Sequence, residues 1–422
     1  MRSLNVFILG LIGVSLPFHS ASERCDIPTS SAIPPLIVTQ LGSKHWVSVT
    51  GPILTLESSE SVDLYCESGF KYYITSYERY EEFDTNRTTI SCKRNRFILP
   101  HYSNEPEVEA VSCLGNAISP IFESRTSMPD CEGYMSLVVG RTFEEFGSLK
   151  SFAICYDIDK QQLKYISYTA YTKWLEPTQA GQLNRLGLDI EVIYSQHLFK
   201  PYGSESVEAA FRDDRRLKSL FGTKTFEYAT LIQDEPLSSG QGEFKEMLSI
   251  IWLRALLNGN WRHFLNALKS ASINAKYDVN VGVSGTISLP TTIACNDSRQ
   301  LSVELDSGYT VTVPALIWAQ VRAVAPNANV TEEFVIIAHN SPFLKIDERN
   351  ELCESMCHEV PWLRQSLFSK LQQYPVYGLA QCCHVADVQH KLENFPKSQA
   401  APNSRDLPPL PPPFENLSKN TT

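Results

Sequence analysis

Asn258-Gly-Asn-Trp261 leads into a helically spaced stretch, Trp261 to Ala271, and Tyr277-Asp-Val-Asn-Val-Gly-Val-Ser-Gly-Thr-Ile-Ser-Leu-Pro290 follows it. From Tyr277 to Val283 apolar and polar residues alternate, which is the period of a half-buried strand. Downstream come Val313-Pro-Ala-Leu-Ile-Trp318 and Phe334-Val-Ile-Ile-Ala-His-Asn340-Ser-Pro342, with a further strand expected over Glu333 to Ala338. Upstream, Leu137 to Val139, Ser151 to Tyr156 and Gln162 to Tyr168 also read as strands. Val207 to Phe221 carries helical spacing. Val207, Phe211, Leu217 and Phe221 are its candidate core positions, and Arg212, Arg215, Arg216 and Lys218 its solvated ones. The order is neither regularly βαβ nor repetitive, so residues 131–395 are expected to form an α+β domain.

Three other segments flank this domain. Residues 1–22 read as a signal peptide: Arg2 gives the positive end, Val6 to Leu16 the apolar run, and Ser20 and Ser22 the small residues before a cut after Ser22. A helix over that run would be roughly 16 Å long, too short for a membrane anchor. Residues 23–130 form a β-rich module of short alternating runs punctuated by Gly51-Pro52 and Ser58-Ser59. An immunoglobulin reading of this module fails, because no Trp follows Cys66 until Trp174. Residues 396–422 form a Pro-rich tail that favours polyproline II and reads as a disordered stalk. There is no second long apolar run, so a multi-span membrane protein is excluded. With a formal charge of -10, nucleic acid is not attracted in bulk, and any such binding needs a local basic surface.

Cysteine usage fits export. All eleven cysteines lie beyond the signal, and secreted chains use Cys for disulfides. Cys353, Cys357, Cys382 and Cys383, with His384, also invite a zinc reading. Neighbouring side chains on a strand point to opposite faces, so Cys382 and Cys383 favour disulfides over one shared ion. The odd count leaves one thiol free or paired with another chain. Asn86, Asn296, Asn329, Asn416 and Asn420 head glycosylation sequons.

In order and spacing, the motifs from Asn258 to Pro342 resemble the DNA/RNA non-specific endonuclease family, above all its secreted arthropod, double-stranded-ribonuclease-like branch. That family carries an FNGGNW-like helix start, a strand ending in TG-x-x-G-V-x-x-LP, a VP-x-x-x-W strand and a strand ending in NNP. The segment Tyr194 to Gly222 and the Cys-rich end from Cys353 to Cys383 are similar too, so the match covers about residues 135–390. The resemblance implies a twisted, mostly antiparallel sheet flanked by helices, with a ββα-metal (His-Me finger) unit. It also implies a chemistry in which a neutral His takes a proton from the water that attacks phosphorus. In active relatives a hydrated Mg²⁺ stabilises the phosphate charge. An Asn holds that metal, a Glu on the helix after GNW holds its waters, and the Arg of an R-G-H motif steadies the phosphoryl group.

This chain departs from the pattern at each of those roles. Between Phe221-Gly222 and Gly259-Asn-Trp261 it has no His. The best match to R-G-H-L is Asp234-Glu-Pro-Leu237, which puts Pro236 at the base position and Asp234 at the Arg position. Ungapped counting puts Leu248 at the metal-binding Asn position and Leu265 at the Glu position, and Leu does not ligate a hard cation. No catalytic or metal-binding residue and no cofactor are therefore expected. Glu235, Glu243 and Glu246 remain as substitute carboxylates or as a solvated acidic face. Gln196-His197-Leu-Phe-Lys-Pro201 imitates the motif on the wrong side of Phe221-Gly222. Phosphate-binding candidates are Arg212, Arg215, Arg216 and Lys218, with Lys224, and a second group of Lys93, Arg94 and Arg96.

Three readings compete. The first is a secreted, catalytically impaired member of this family that binds nucleic acid, a glycan or another protein. The second is an active Mg²⁺-dependent endonuclease with a relocated site. The third is an extracellular structural or interaction protein.

Overall fold

The computed structural model describes residues 24–29, 35–41, 44–49, 53–100, 104–114, 121–124, 127–143, 147–171, 190–193, 202–221, 224–234, 237, 245–273, 275–289, 299–324, 333–343 and 352–396. The expected signal peptide, the tail beyond Pro396 and the sequons other than Asn86 lie outside them, and Asn86 itself is exposed. The chain divides into two compact units, Met1–Asn116 and Ala117–Thr422.

The first unit is built of β1 (Arg24–Pro28), β2 (Leu36–Leu41), β3 (Lys44–Val49), β4 (Ile53–Glu57), β5 (Ser61–Tyr65), β6 (Phe70–Ile74), β7 (Arg79–Phe83), β8 (Arg87–Lys93), β9 (Arg96–Ile98) and β10 (Glu107–Cys113). Eight strands form one sheet in the order β3-β2-β5-β8-β9-β10-β6-β7, and β1 pairs with β4. Strict alternation in β1 and β4 turns Cys25, Ile27, Leu54 and Leu56 inward. They share a core with Leu64, Phe70, Tyr72, Ile90 and Phe97 of the larger sheet. Cys25–Cys92 and Cys66–Cys113 staple the unit across 67 and 47 residues. Loops of that length give each bridge about 4 kcal/mol in the chain-entropy account.

The second unit centres on a nine-stranded sheet. Its strands are β11 (Ile121–Ser124), β12 (Met135–Phe143), β13 (Gly147–Asp157), β14 (Gln162–Thr169), β15 (Ile190–Ile193), β18 (Lys276–Thr286), β21 (Pro314–Val324), β22 (Glu333–His339) and β23 (Ala380–Cys383), in the order β15-β11-β12-β13-β14-β18-β21-β22-β23. Every pairing is antiparallel. A hairpin of β16 (Phe226–Thr230) and β17 (Ser249–Leu253), the helix α3 (Arg262–Ala271) and the short hairpin β19 (Ser302–Glu304) and β20 (Thr310–Thr312) complete it with two earlier helices, α1 (Ser204–Asp213) and α2 (Arg215–Leu220).

Both faces of the central strands are covered, which is why Phe334 to Ala338 is a continuous apolar run. Phe334, Ile336 and Ala338 join the core beneath Trp252, Trp261 and Phe264, whereas Val335 and Ile337 meet Val388, Leu392 and Phe395 on the other face. Gly282 of β18 is required by this packing: a Cβ there would lie 2.3 Å from the Trp318 ring. Adjacent Cys382 and Cys383 point to opposite faces, and each finds its own partner, Cys357 and Cys353 respectively. With Cys131–Cys155 that makes five disulfides among the described residues, and Cys295 lies outside them. Oxidised pairs of this number fit an oxidising compartment. Among the described residues no helix is long and apolar enough to cross a membrane.

The expected helix over Val207 to Phe221 is interrupted. Asp214 is extended (φ -66°, ψ 113°), and its carboxylate accepts the Leu217 amide at 3.2 Å, starting α2 afresh. Val207, Leu217 and Phe221 are buried as the spacing predicted.

Candidate functional site: the hairpin–helix junction

The motifs behind the resemblance build a junction between β17 and α3. At Leu257–Trp261 the backbone makes a wide turn before α3, with Gly259 at φ -104° and ψ -111°. A Cβ at Gly259 would lie 2.3 Å from the carbonyl oxygen of Tyr377, so only glycine admits that backbone. Buried Asn260 donates from Nδ2 to the carbonyls of Leu371, at 2.9 Å, and Gly378. Trp261 then packs 5.2 Å from Trp252 and 5.5 Å from Phe264. Asn340, at the end of β22, is wholly buried. Its Nδ2 donates to the carbonyls of Ile251 (2.8 Å) and Pro314 (2.9 Å), and its Oδ1 accepts the Leu253 amide (2.6 Å). Asn260 and Asn340 are thus joints that tie backbone to backbone.

The residues at the family's catalytic roles sit as follows. Asp234 is fully buried, and its carboxylate accepts the Tyr171 amide at 2.7 Å while its carbonyl accepts that of Leu237. It anchors a turn and does not face solvent. Pro236, Glu235, Glu243 and His197 lie outside the described residues. Leu248 is 0% exposed in the turn before β17, where its carbonyl accepts the Leu231 amide. Leu265 lies on the inner face of α3 with Phe264 and Leu268. Neither offers an oxygen or a place for water, so these two positions do not fit Mg²⁺. Among the described residues no group of three or more His, Cys, Asp or Glu side chains could hold a metal ion. Glu246 accepts the Tyr228 hydroxyl through its backbone carbonyl. His263 is half-buried, its ring 6.0 Å from Tyr377.

The basic groups divide. Arg212 is exposed beside Asp213 (3.4 Å) and Lys218 is exposed, whereas the side chains of Arg215 and Arg216 lie outside the described set. In the first unit, Lys93, Arg94 and Arg96 surround a tight turn with positive φ at Arg94 and Asn95. Glu105 neutralises Lys93 at 2.9 Å and Glu107 neutralises Arg96 at 3.1 Å.

An open cleft of about 540 Å³ lies where β17 runs into the turn. Lys224, Arg254, Asn258, Gly259, Val376 and Tyr377 line it. Glu227 holds Arg254 at 3.1 Å, and Asn258 donates to the Arg254 carbonyl. Val376 is 72% exposed and Tyr377 38%, a ledge of apolar and aromatic surface beside two cations. Such a set can pair with phosphate and stack a planar ring, and none of these side chains is an ordinary proton acceptor near neutral pH. Sequence reading included Lys224 but missed Arg254 and Tyr377. The one local signal was the exposed Tyr374-Pro-Val-Tyr-Gly378 turn.

His339 is a buried imidazole of the same end of β22, and burial pulls its pKa down to about 4. The unfolded chain, with His near 6.5, therefore binds more protons between pH 4 and 6.5. Stability contributed by the neutral ring is complete above pH 6.5 and falls as pH drops towards 4, by about 3 kcal/mol. Urea unfolding at several pH values is expected to show this loss, and His339→Leu to flatten that part of the profile.

No family model matches the chain, and no curated protein matches it. Two solved structures share limited likeness. The crystal structure of the EndoG/EndoGI complex, concerned with the mechanism of EndoG inhibition, is 8% identical over 48% of this chain and 74% of that one, with a TM-score of 0.28. A porin-like protein from Bacteroides uniformis ATCC 8492 is 7% identical over 74% of this chain and 97% of its own, with a TM-score of 0.11. Neither likeness is close enough to assign a fold or an activity.

Proposed function

We propose that this is a secreted, disulfide-bonded protein on a DNA/RNA non-specific endonuclease-like scaffold, which binds nucleic acid strands without hydrolysing them. The motif order from Asn258 to Pro342 and the hairpin β16–β17 followed by α3 support the scaffold. Five disulfides support export. The observation that carries the binding reading is the junction cleft, where Lys224 and Arg254 flank Asn258 and Tyr377. Lys224, with an Arg254 shared with Glu227, gives only a small positive surface on a chain of net charge -10, so affinity is expected to be modest and dependent on salt. Tyr377 supplies a stacking face that any base can use.

Fluorescence anisotropy with a labelled single-stranded oligonucleotide checks this. Replacing both cations (Lys224→Ala with Arg254→Gln) is expected to weaken binding about tenfold. The slope of log K against log salt should become shallower by about 1.4, two phosphate contacts at about 0.7 each. Binding that ignores both the salt and the double variant would place the ligand elsewhere.

A further inference from the structure

A second cleft, of about 270 Å³, lies at the other end of β17. Its walls come from the start of β14, the end of β18, β20 and the segment at Glu393-Asn394. We propose that it binds an uncharged saccharide, held by hydroxyl and amide groups and stacked against Tyr202.

Tyr202, Ser249, Ser284, Thr310 and Thr312 bring hydroxyls to the lining, beside the amides of Gln161, Gln162 and Asn394. Ser284 is buried in it, 4% exposed, Ser249 (2%) donates its hydroxyl to the Lys245 carbonyl at 2.7 Å, and Thr310 and Thr312 are exposed on its rim. Ser284 Oγ accepts the Glu393 amide at 2.9 Å, an arrangement that leaves the serine proton available to a ligand. Burial pushes the Tyr202 hydroxyl up to about 12, so it remains an O–H group at any physiological pH. The Tyr202 ring stands 6.0 Å from that of Tyr309, which is 42% exposed. Tyr202, which lines the cleft, gives it an aromatic surface next to polar groups, the pairing that suits a sugar's C–H face and its hydroxyl rim.

The charges present are already engaged, which is the argument for a neutral ligand. Lys164 is held by Asp157 at 3.3 Å with both side chains under a tenth exposed, and it donates to Gln162 at 3.0 Å. Glu393 accepts the Gly285 amide at 3.2 Å. Lys160 alone adds a cation, on an exposed turn. An anionic ligand would find little uncompensated positive charge and would meet the Glu393 carboxylate. This inference is independent of the nucleic-acid reading.

Calorimetric titration of the full secreted chain tests it, with cellobiose, maltose and chitobiose as probes and a heparin disaccharide as the anionic control. At least one neutral disaccharide is expected to bind with a dissociation constant of about 1 mM or tighter. Tyr202→Ala should weaken it about tenfold, Thr312→Val by a smaller factor, and Tyr377→Ala in the other cleft should leave it unchanged. Tyr202→Phe retains the ring and guards against misfolding; it should keep most of the affinity. The proposal is overturned if no neutral disaccharide binds up to about 20 mM. It is equally overturned if the heparin disaccharide binds as tightly, or if Tyr202→Ala binds like the parent while unfolding at the same temperature.

Discussion

Asn340→Ala is expected to lower the stability of the second unit by about 4 kcal/mol, seen as a lower urea midpoint with an unchanged slope. The side chain is fully buried and makes three hydrogen bonds to backbone groups of two strands, β17 (Ile251 and Leu253) and β21 (Pro314). Truncation strands the Leu253 amide and the carbonyls of Ile251 and Pro314 without water. Each stranded group costs about 1–3 kcal/mol, partly relieved if water enters the space. Asn340→Asp keeps the acceptor for Leu253 but sets an anion against two carbonyls, so it should not rescue. A loss below about 1 kcal/mol would mean that these bonds do not hold the hairpin to the sheet.

Gly259→Ala is expected to cost about 3 kcal/mol and to weaken oligonucleotide binding with it. The new Cβ would fall 2.3 Å from the Tyr377 oxygen and 2.7 Å from its Cα. Both are backbone atoms of a turn fixed by Asn260, so neither can swing aside as a flexible side chain would. Relief requires the Pro375–Tyr377 turn to move off the junction, taking with it the aromatic ledge. Gly203→Ala, with nothing within 4 Å of the added carbon, is the matched control and should stay within about 1 kcal/mol of the parent. Equal effects at both sites would remove the close approach as the cause.

Much of the second unit could be read from residues alone. Period-two alternation over Tyr277 to Val283, the apolar run after Glu333 and the helical spacing after Trp261 all became the elements they indicated, because burial on one or both faces dictates those patterns. That Cys382 and Cys383 could not serve one centre followed from strand geometry, although their partners did not. What failed depended on contacts distant in sequence. The break at Asp214 rests on a side-chain cap that competes with helix continuation. Motif counting put Asp234 at the family's Arg position, and counting alone gives no sign of its burial against the Tyr171 amide. Nothing in the sequence spacing announced that Glu105 and Glu107 would lie beside Lys93 and Arg96. Arg254 and Tyr377 share a cleft through the junction fold and have no common motif.

The central claim is that this scaffold holds nucleic acid and does not cut it. The most direct measurement incubates the purified protein with supercoiled plasmid and long double-stranded RNA, with Mg²⁺ or Mn²⁺ and with chelator. The account predicts intact nucleic acid in every lane while oligonucleotide binding persists. Degradation that chelator stops, that Pro236→His leaves unchanged and that Glu235→Ala abolishes would contradict it.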